Sequence, residues 1–579
     1  MSIVNKLQAA TTRADLAALL GYQLKTFAFI VYQIPDAAKY TEFETPKRSG
    51  GMRKISAPVP RLKALQKRLA TLLYDYLDEL EMGRPPRRTL SHGFVRKRSI
   101  ITNAHAHRGR RYVLNIDLED FFPSINLGRI RGVLMKDKRF LLHERVATAI
   151  AQIACQGGKL PQGSPCSPVV SNIVGRLLDV RMVRLAKEYG CRYTRYADDI
   201  TLSTNEKDFP AEIAIPTGVD GDVWEAGPAL AKAIVKAGYV INAKKTRVQY
   251  RGSRQIVTGL VVNKQVNVKA EYYRIARSMC WQLFNTGSYY RVLSAQFAGG
   301  AVGDPDIHQV QTSIAPLQGI VEHIYKVRNT YDVREPDQKK KKPTATRTLY
   351  HKLLFYKNFV ALERPLLLPE GKTDTIYLKA AIEKLVGFHP KLGHIAAGRF
   401  KSAISFQAFS SKIHDILQLG GGSGEFLFLI RSYRANLDRY RYRAMKHPVI
   451  LLIDNDSGAP DVFKDAIKCG ASGISLTSTD PFYRLIDNLY LIKTPEIGAT
   501  GISCIESLFD PALLNEKVNG LEFDASKKHK APGKYGKQVF AEQVIKPNAN
   551  TIDFSGFVPL LDRIAAVIDD YAASPSPFP

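Results

Sequence analysis

The chain has 579 residues, 45% apolar and 24% charged, which is too long for one hydrophobic core and too apolar for a disordered polymer. Its 83 Lys and Arg against 54 Asp and Glu give a net charge of +29. The excess is uneven: residues 1–360 hold 57 basic and 30 acidic residues, residues 361–579 hold 26 and 24. The first part therefore reads as built to lie against a polyanion. Nucleic acid is favoured over a membrane, because no uncharged run of membrane length and no long amphipathic basic helix is found.

Residues 1–45 read as short helices, with "TTRADLAALL" opening on a Thr N-cap. "GGMRKISAPVPRLKALQKRLATLLYDYLDEL" predicts a strand, a break marked by proline, then a long amphipathic helix. A mixed α/β pattern runs to about residue 265, and residues 270–330 read as mainly helical. "REPDQKKKKPTATR", with two prolines and four consecutive lysines, reads as a solvated linker in preference to a nucleic-acid clamp. A new α/β pattern opens near 362 with "RPLLLPEGKTD", and no repeat of solenoid period is present. The six cysteines are scattered without metal-ligand spacing, and the N-terminus lacks a secretory pattern, so a reducing, cytoplasmic setting is expected.

Two acidic constellations carry the chemistry. In "CRYTRYADDITLS", Asp198 and Asp199 lie between two runs of strand-forming residues and so fall at a hairpin tip. The plainer reading is an ordinary turn, since Asp is common there. Upstream, "RRYVLNIDLEDFFPSI" predicts a buried strand ending in Asp117. Three carboxylates converging from separate strands suit two divalent cations, which activate a hydroxyl and stabilise a leaving pyrophosphate.

Asp117, "YADD" at 196–199, "LPQGSPCSP" at 160–168 and "INAKKT" at 241–246 together resemble, in order and spacing, the motifs of a reverse transcriptase. "NAHAH" at 103–107 and "VTG" at 257–259 narrow the resemblance to the retron type. It covers roughly residues 40–330. It implies a right-hand polymerase, with fingers and palm over 46–265 and a helical thumb over 266–333 that grips duplex. It also implies that Asp117, Leu118, Asp198 and Asp199 hold two Mg²⁺ ions. Phe122 would exclude a ribose 2′-hydroxyl, its plainer role being a core ring beside Phe121. Gln162 would meet the incoming nucleotide, with Arg53, Lys54, Arg96 and Arg98 on its triphosphate. Lys244 or Lys245 would protonate pyrophosphate, unless that basic end touches template. Asn103, His107, Val257, Thr258 and Gly259 would hold a structured RNA. Such enzymes copy part of a dedicated non-coding RNA into RNA-linked multicopy single-stranded DNA, so that RNA, its RNA–DNA product and dNTPs are the implied partners, with a host RNase H beside them.

The second constellation follows a basic linker placed at 334–361. "RPLLLPEGKTDTIYL" and "HPVILLIDNDSGAPDVF" each read as an apolar strand ending in acid, Glu370 in one and Asp454 with Asp456 in the other. This pattern resembles a Rossmann-like TOPRIM α/β domain of the OLD-nuclease branch over 362–579. The resemblance implies one or two further Mg²⁺ ions, with Lys372, Asp374 and Glu506 as auxiliaries. Cleavage of cellular RNA or DNA fits best. A topoisomerase of this fold needs large additional domains, and a primase is redundant beside an enzyme that starts from its own RNA. The fusion would then serve antiphage defence by abortive infection in a bacterial cytoplasm, with no membrane role and with self-association left open. The competing readings are a mobile-element or maturase-like reverse transcriptase processing its own nucleic acid, and a tail that only binds the product.

Overall fold

The structure is a computed structural model that describes residues 2–47, 51–82, 90–217, 223–293, 307–525 and 533–575. The chain divides into two compact units: Met1–Tyr272 with Leu293–Ile307, and Tyr273–Val292 with His308–Pro579. Among the described residues no single helix is long and apolar enough to cross a membrane.

The first unit opens on short helices, one of which, Arg13–Leu19, is capped by Thr12 in a reciprocal capping box with Asp15. Strands β1 (Tyr40–Pro46) and β2 (Met52–Pro58) pair antiparallel, and Pro60 starts helix α1 (Pro60–Glu81). Helix α1 buries Leu62, Leu65, Leu69, Leu73 and Tyr76 at the three- and four-residue spacing of one helical face. The core sheet is built on β3 (Tyr112–Glu119). Its partners are the hairpin β4 (Arg192–Tyr196) and β5 (Asp199–Thr204) on one side, and β6 (Val240–Ile241) with β7 (Arg247–Tyr250) on the other. Strand β3 does not stop at Asp117 as the sequence suggests, because Leu118 and Glu119 find partners in Ile241 and Val240. Helices α2 (Ile100–Ala106) and α3 (Ser167–Glu188) also belong to this unit.

The second unit takes in most of the helix Ala270–Thr286 together with α4 (Ile314–Asn329). Residues 334–361, expected as a linker, are instead largely ordered as helix. The lysine run closes α5 (Pro336–Lys341), and α6 (Ala345–Phe355) buries Arg347, Tyr350, Leu353 and Leu354. The expected thumb and this segment share packing with the C-terminal part. Phe284 meets Tyr356 and Tyr440, and Arg347 pairs with Asp415 at 3.0 Å. The apolar spacing of "TLYHKLLF" outweighs the lysines and prolines that suggested a break.

The sheet of this unit has the order β9-β8-β10-β12-β11, where β8 is Leu366–Pro369, β9 Ser405–Phe406, β10 Val449–Ile453, β11 Tyr483–Ile486 and β12 Leu489–Lys493. Four strands are parallel and β11 is antiparallel at the edge. Strands β8 and β10 are buried along their whole length, as parallel strands covered on both faces are. Adjacent strand ends deliver Glu370 and Asp454 to one rim.

Candidate active sites

The hairpin β4–β5 turns through only two residues, Ala197 and Asp198, with Tyr196 paired to Asp199. Ala197 is left-handed at φ 56°, a conformation uncommon for a residue with a Cβ, and it needs support from outside the turn. Arg195 supplies it. The fully buried guanidinium donates to the Ala197 carbonyl at 3.0 Å and forks onto Asp179 at 2.7 and 2.9 Å. Because β5 pairs with β3 in register, Asp199 lies opposite Asp117.

These three carboxylates face a cleft of about 1540 Å³ whose wall also includes Arg53, Phe122 and Gln162. Burial against the cleft wall pushes Asp199 up to about 6, with Asp198 and Asp117 adding repulsion and Lys245 and Arg247 relieving part of it. Burial and then Asp117 raise Asp198 as well. Lys245 Nζ donates to Asp117 Oδ1 at 2.9 Å. Among the described residues no three acidic, histidine or cysteine groups stand ready to ligate an ion as they are placed. The mutual repulsion of hard oxygen donors nevertheless fits a divalent cation, which would replace the Lys245 ammonium as their counter-charge. Lys244 lines only a smaller recess behind Asp117 and Asp199, so Lys245 is the lysine that faces both the cleft and the acids.

The Gln162 loop is held by its carbonyl, which accepts from Ser56 N at 2.8 Å on β2. That approach requires Gly163, at φ 125°, since a Cβ there would lie 2.6 Å from the Ser56 carbonyl oxygen. Lys54 pairs with Glu42 at 2.7 Å while still lining the cleft. Arg96 and Arg98, expected on the triphosphate, are not cleft residues. Arg96 is tied to Asp75 and Asp78 of α1 at 2.6 and 2.8 Å, acids that the spacing along the chain did not reveal as partners.

Asn103 and His107 depart from their expected role in touching RNA: both are wholly buried. His107 Nε2 is hydrogen-bonded to Thr194 Oγ1 at 2.8 Å and His107 Nδ1 to Ser203 Oγ at 2.7 Å, while Thr194 donates to Asn103 Oδ1 at 2.6 Å. Burial, then Arg192, pushes the imidazole down to about 3, so it is neutral and bolts α2 to β4 and β5. Val257 is buried too, whereas Thr258 and Gly259 form the two-residue turn of a small hairpin, both at positive φ, which suits a type I′ turn.

The second cluster is tighter than the sequence suggests. Glu370, Asp374, Asp454 and Glu506 converge with Lys537, a residue missed because it lies far along the chain in no acidic motif. Asp454 N donates to Glu370 Oε2 at 3.4 Å, and Asp454 Oδ1 accepts from Ile505 N at 2.9 Å. Gly371 N donates to buried Asp374 at 2.7 Å. Lys537 Nζ donates to Glu506 Oε2 at 2.8 Å and stands 4.0 Å from Asp454. Burial pushes Asp454 up to about 8, with Asp374 the next cause and Lys537 opposing. Asp374 rises to about 6 by burial, then by Glu506. Glu506 Oε1 is buried with no hydrogen-bond partner among the described residues. An orphaned carboxylate oxygen among four acids and a single lysine fits a divalent cation. Asp456 turns to Gly458 N at 2.8 Å, just before helix α7 (Ala459–Lys468), and Lys372 is exposed.

Residues 45–272 match the family model "Reverse transcriptase (RNA-dependent DNA polymerase)". The retron Mx65 reverse transcriptase of Myxococcus xanthus is 37% identical over 292 residues, 47% of this chain and 62% of that protein. The retron Mx162 reverse transcriptase of the same organism is 34% identical over 299 residues, 48% and 58% of the two chains. The retron Ec86 reverse transcriptase of Escherichia coli is 32% identical over 272 residues, 47% of this chain and 77% of that one. The chain thus spans about three-fifths of the length of the two Myxococcus relatives. The second cluster lies beyond the family match.

Proposed function

Because the chain belongs to the retron reverse transcriptases, we propose that it copies a structured non-coding RNA into RNA-linked single-stranded DNA, and that its second unit is a TOPRIM-type, metal-dependent nuclease. The observation carrying the polymerase reading is the meeting of Asp117, Asp198 and Asp199 in a cleft walled by Arg53, Phe122 and Gln162. The nuclease reading is supported by the Glu370–Asp374–Asp454–Glu506 cluster, in which Glu370 and Asp454 stand at the ends of adjacent parallel strands.

In the polymerase cleft, Asp117, Asp198 and Asp199 would hold Mg²⁺, and Glu370, Asp454 and Glu506 would hold it in the second unit. When bound, the ions lower the pKa of an attacking hydroxyl or water and neutralise charge on the phosphoryl oxygens. Arg53 orients a triphosphate by its guanidinium fork. Phe122 sets a steric limit at the ribose, and Gln162 holds the nucleotide from the β2 side. Lys245 gives a proton to departing pyrophosphate, a role supported by its place on the cleft wall beside Asp117. Lys537, kept charged by Glu506 and Asp454, steadies a scissile phosphate. Antiphage defence, with the nuclease restrained by the RNA–DNA product in a bacterial cytoplasm, completes the reading.

Nucleic acid extracted from the chain expressed with its flanking DNA tests it. A short DNA whose mobility shifts on RNase treatment and which vanishes with DNase is expected. RNA alone, or no nucleic acid, overturns the retron assignment.

A further inference from the structure

Helix α3 carries Asn172, Gly175 and Asp179 at three- and four-residue spacing, hence on one stripe. This stripe lies behind the polymerase cleft and reaches two of its walls, with one long cross-contact in which Arg195 Nη2 donates to Asn172 Oδ1 at 3.4 Å. Asp179, which also accepts from the Tyr193 hydroxyl at 2.7 Å, holds the Arg195 guanidinium, and Arg195 holds the carbonyl of left-handed Ala197 at the tip that bears Asp198. Gly175 makes room for that guanidinium, because a Cβ at this position would stand 2.9 Å from Arg195 Nη2. Asn172 Nδ2 donates to the carbonyls of Gly93 and Phe94 at 2.7 and 3.1 Å, while its Oδ1 accepts from Ser91 Oγ at 2.9 Å. The Phe94 ring packs 6.1 Å from the Phe122 ring on the cleft wall. Gly93 lies so close to the hairpin that a Cβ there would be 2.5 Å from Ala197 N.

We propose that this stripe positions the two walls, each chiefly through its own anchor: Asp179, through Arg195, sets the hairpin tip and hence the hold of Asp198 and Asp199 on a divalent cation, and Asn172, through Phe94, sets the Phe122 ring and hence discrimination against a 2′-hydroxyl. The proposal rests on the polymerase reading of the cleft. The physical reason for two routes is the chemistry of the anchors. A bidentate carboxylate–guanidinium pair fixes orientation as well as distance, so a small displacement of Arg195 rotates the carbonyl that it holds. An amide donating to two successive carbonyls fixes the backbone of Phe94, and with it the ring against which Phe122 rests. Asn172, Gly175 and Asp179 are positioning residues; none of them lines the cleft.

Asp179→Asn leaves Arg195 buried without its counter-charge and risks unfolding, so the test uses Gly175→Ala and Asn172→Ala in the full chain. Mn²⁺ binding is followed by electron paramagnetic resonance in an Asp454→Asn background, which removes the second cluster's contribution. The ratio of dGTP to GTP incorporation is measured on poly(rC) with an oligo(dG) primer, and thermal melting is recorded for each variant. Gly175→Ala is expected to weaken Mn²⁺ binding about tenfold with the nucleotide ratio within about twofold of the parent. Asn172→Ala is expected to lower the dGTP preference about tenfold with Mn²⁺ binding within about twofold. Equal effects of both variants on both readouts, in step with a lowered melting temperature, mean a merely structural stripe and overturn the proposal. Parent-like values throughout overturn it as well. A parent that incorporates no dGTP defeats the polymerase reading instead, and the Mn²⁺ titration, which needs no turnover, then decides the proposal.

Discussion

A free aspartate is ionised at neutral pH, whereas Asp454, buried beside Asp374, Glu506 and Glu370, is pushed up from 3.8 to about 8. The folded state therefore keeps a proton that the unfolded state has already released, and stability falls as pH rises from about 4 to about 8. Calorimetry without divalent ions should show the melting temperature declining across that window. Asp454→Asn should flatten the decline, and Mg²⁺ should raise the parent's melting temperature more at pH 8.5 than at pH 6. A variant that tracks the parent would show that other groups govern the slope. Lys537 is the opposite case. Its removal as Lys537→Met leaves Glu506, almost wholly buried, without its only cationic contact among the described residues. A loss of about 3 kcal/mol is expected in urea unfolding, partly recovered by Mg²⁺ but not by K⁺. Neither effect was legible in the sequence. Asp454 was readable as an acid at a strand end, but its charge state depends on residues up to 84 positions away.

At the scale of elements, the β4–β5 hairpin and helix α1 follow from local pattern, because alternating β-branched and aromatic residues and a four-residue apolar spacing each favour one geometry. The Gln162 loop does not: its shape is set by β2, about a hundred residues earlier in the chain. Gly163→Ala should displace it by driving a Cβ into the Ser56 carbonyl, at a cost of roughly 1–3 kcal/mol. Steady-state kinetics should show KM for dNTP rising more than kcat falls; an unchanged KM would mean that Gln162 does not meet the nucleotide. The "NAHAH" stretch illustrates the limit of motif reading. A polar motif beside a basic surface suggests a ligand, yet Asn103 and His107 are spent on Thr194 and Ser203, polar groups inside a sheet that needed partners. The four-lysine run likewise reads as a break, although the apolar positions that follow it form a buried helix.

At the scale of the whole molecule, two acidic sites occupy two compact units, and the basic excess is concentrated in the first 360 residues. Asp199→Asn should abolish DNA synthesis while leaving Mg²⁺-dependent cleavage by the full chain, and Asp454→Asn should do the reverse. Loss of both activities from either folded variant would contradict separate sites. The basic excess of the first 360 residues predicts that RNA affinity falls steeply and log-linearly with salt, which filter binding between 50 and 200 mM salt on the order of that range can measure.

Sequence by itself determined that acids stand at strand ends and at the β4–β5 tip, their order along the chain and the basic excess of the first part. Those properties rest on residue type and on spacing within a few positions, which the chain states directly. Tertiary structure alone decided that Lys245 rather than Lys244 faces both the cleft and Asp117, that Arg96 pairs with Asp75 and Asp78 of α1, that His107 is a bolt and that Lys537 completes the second cluster. Each of those outcomes depends on which groups are desolvated together. Desolvation is a property of packing between distant segments, so no local pattern records it.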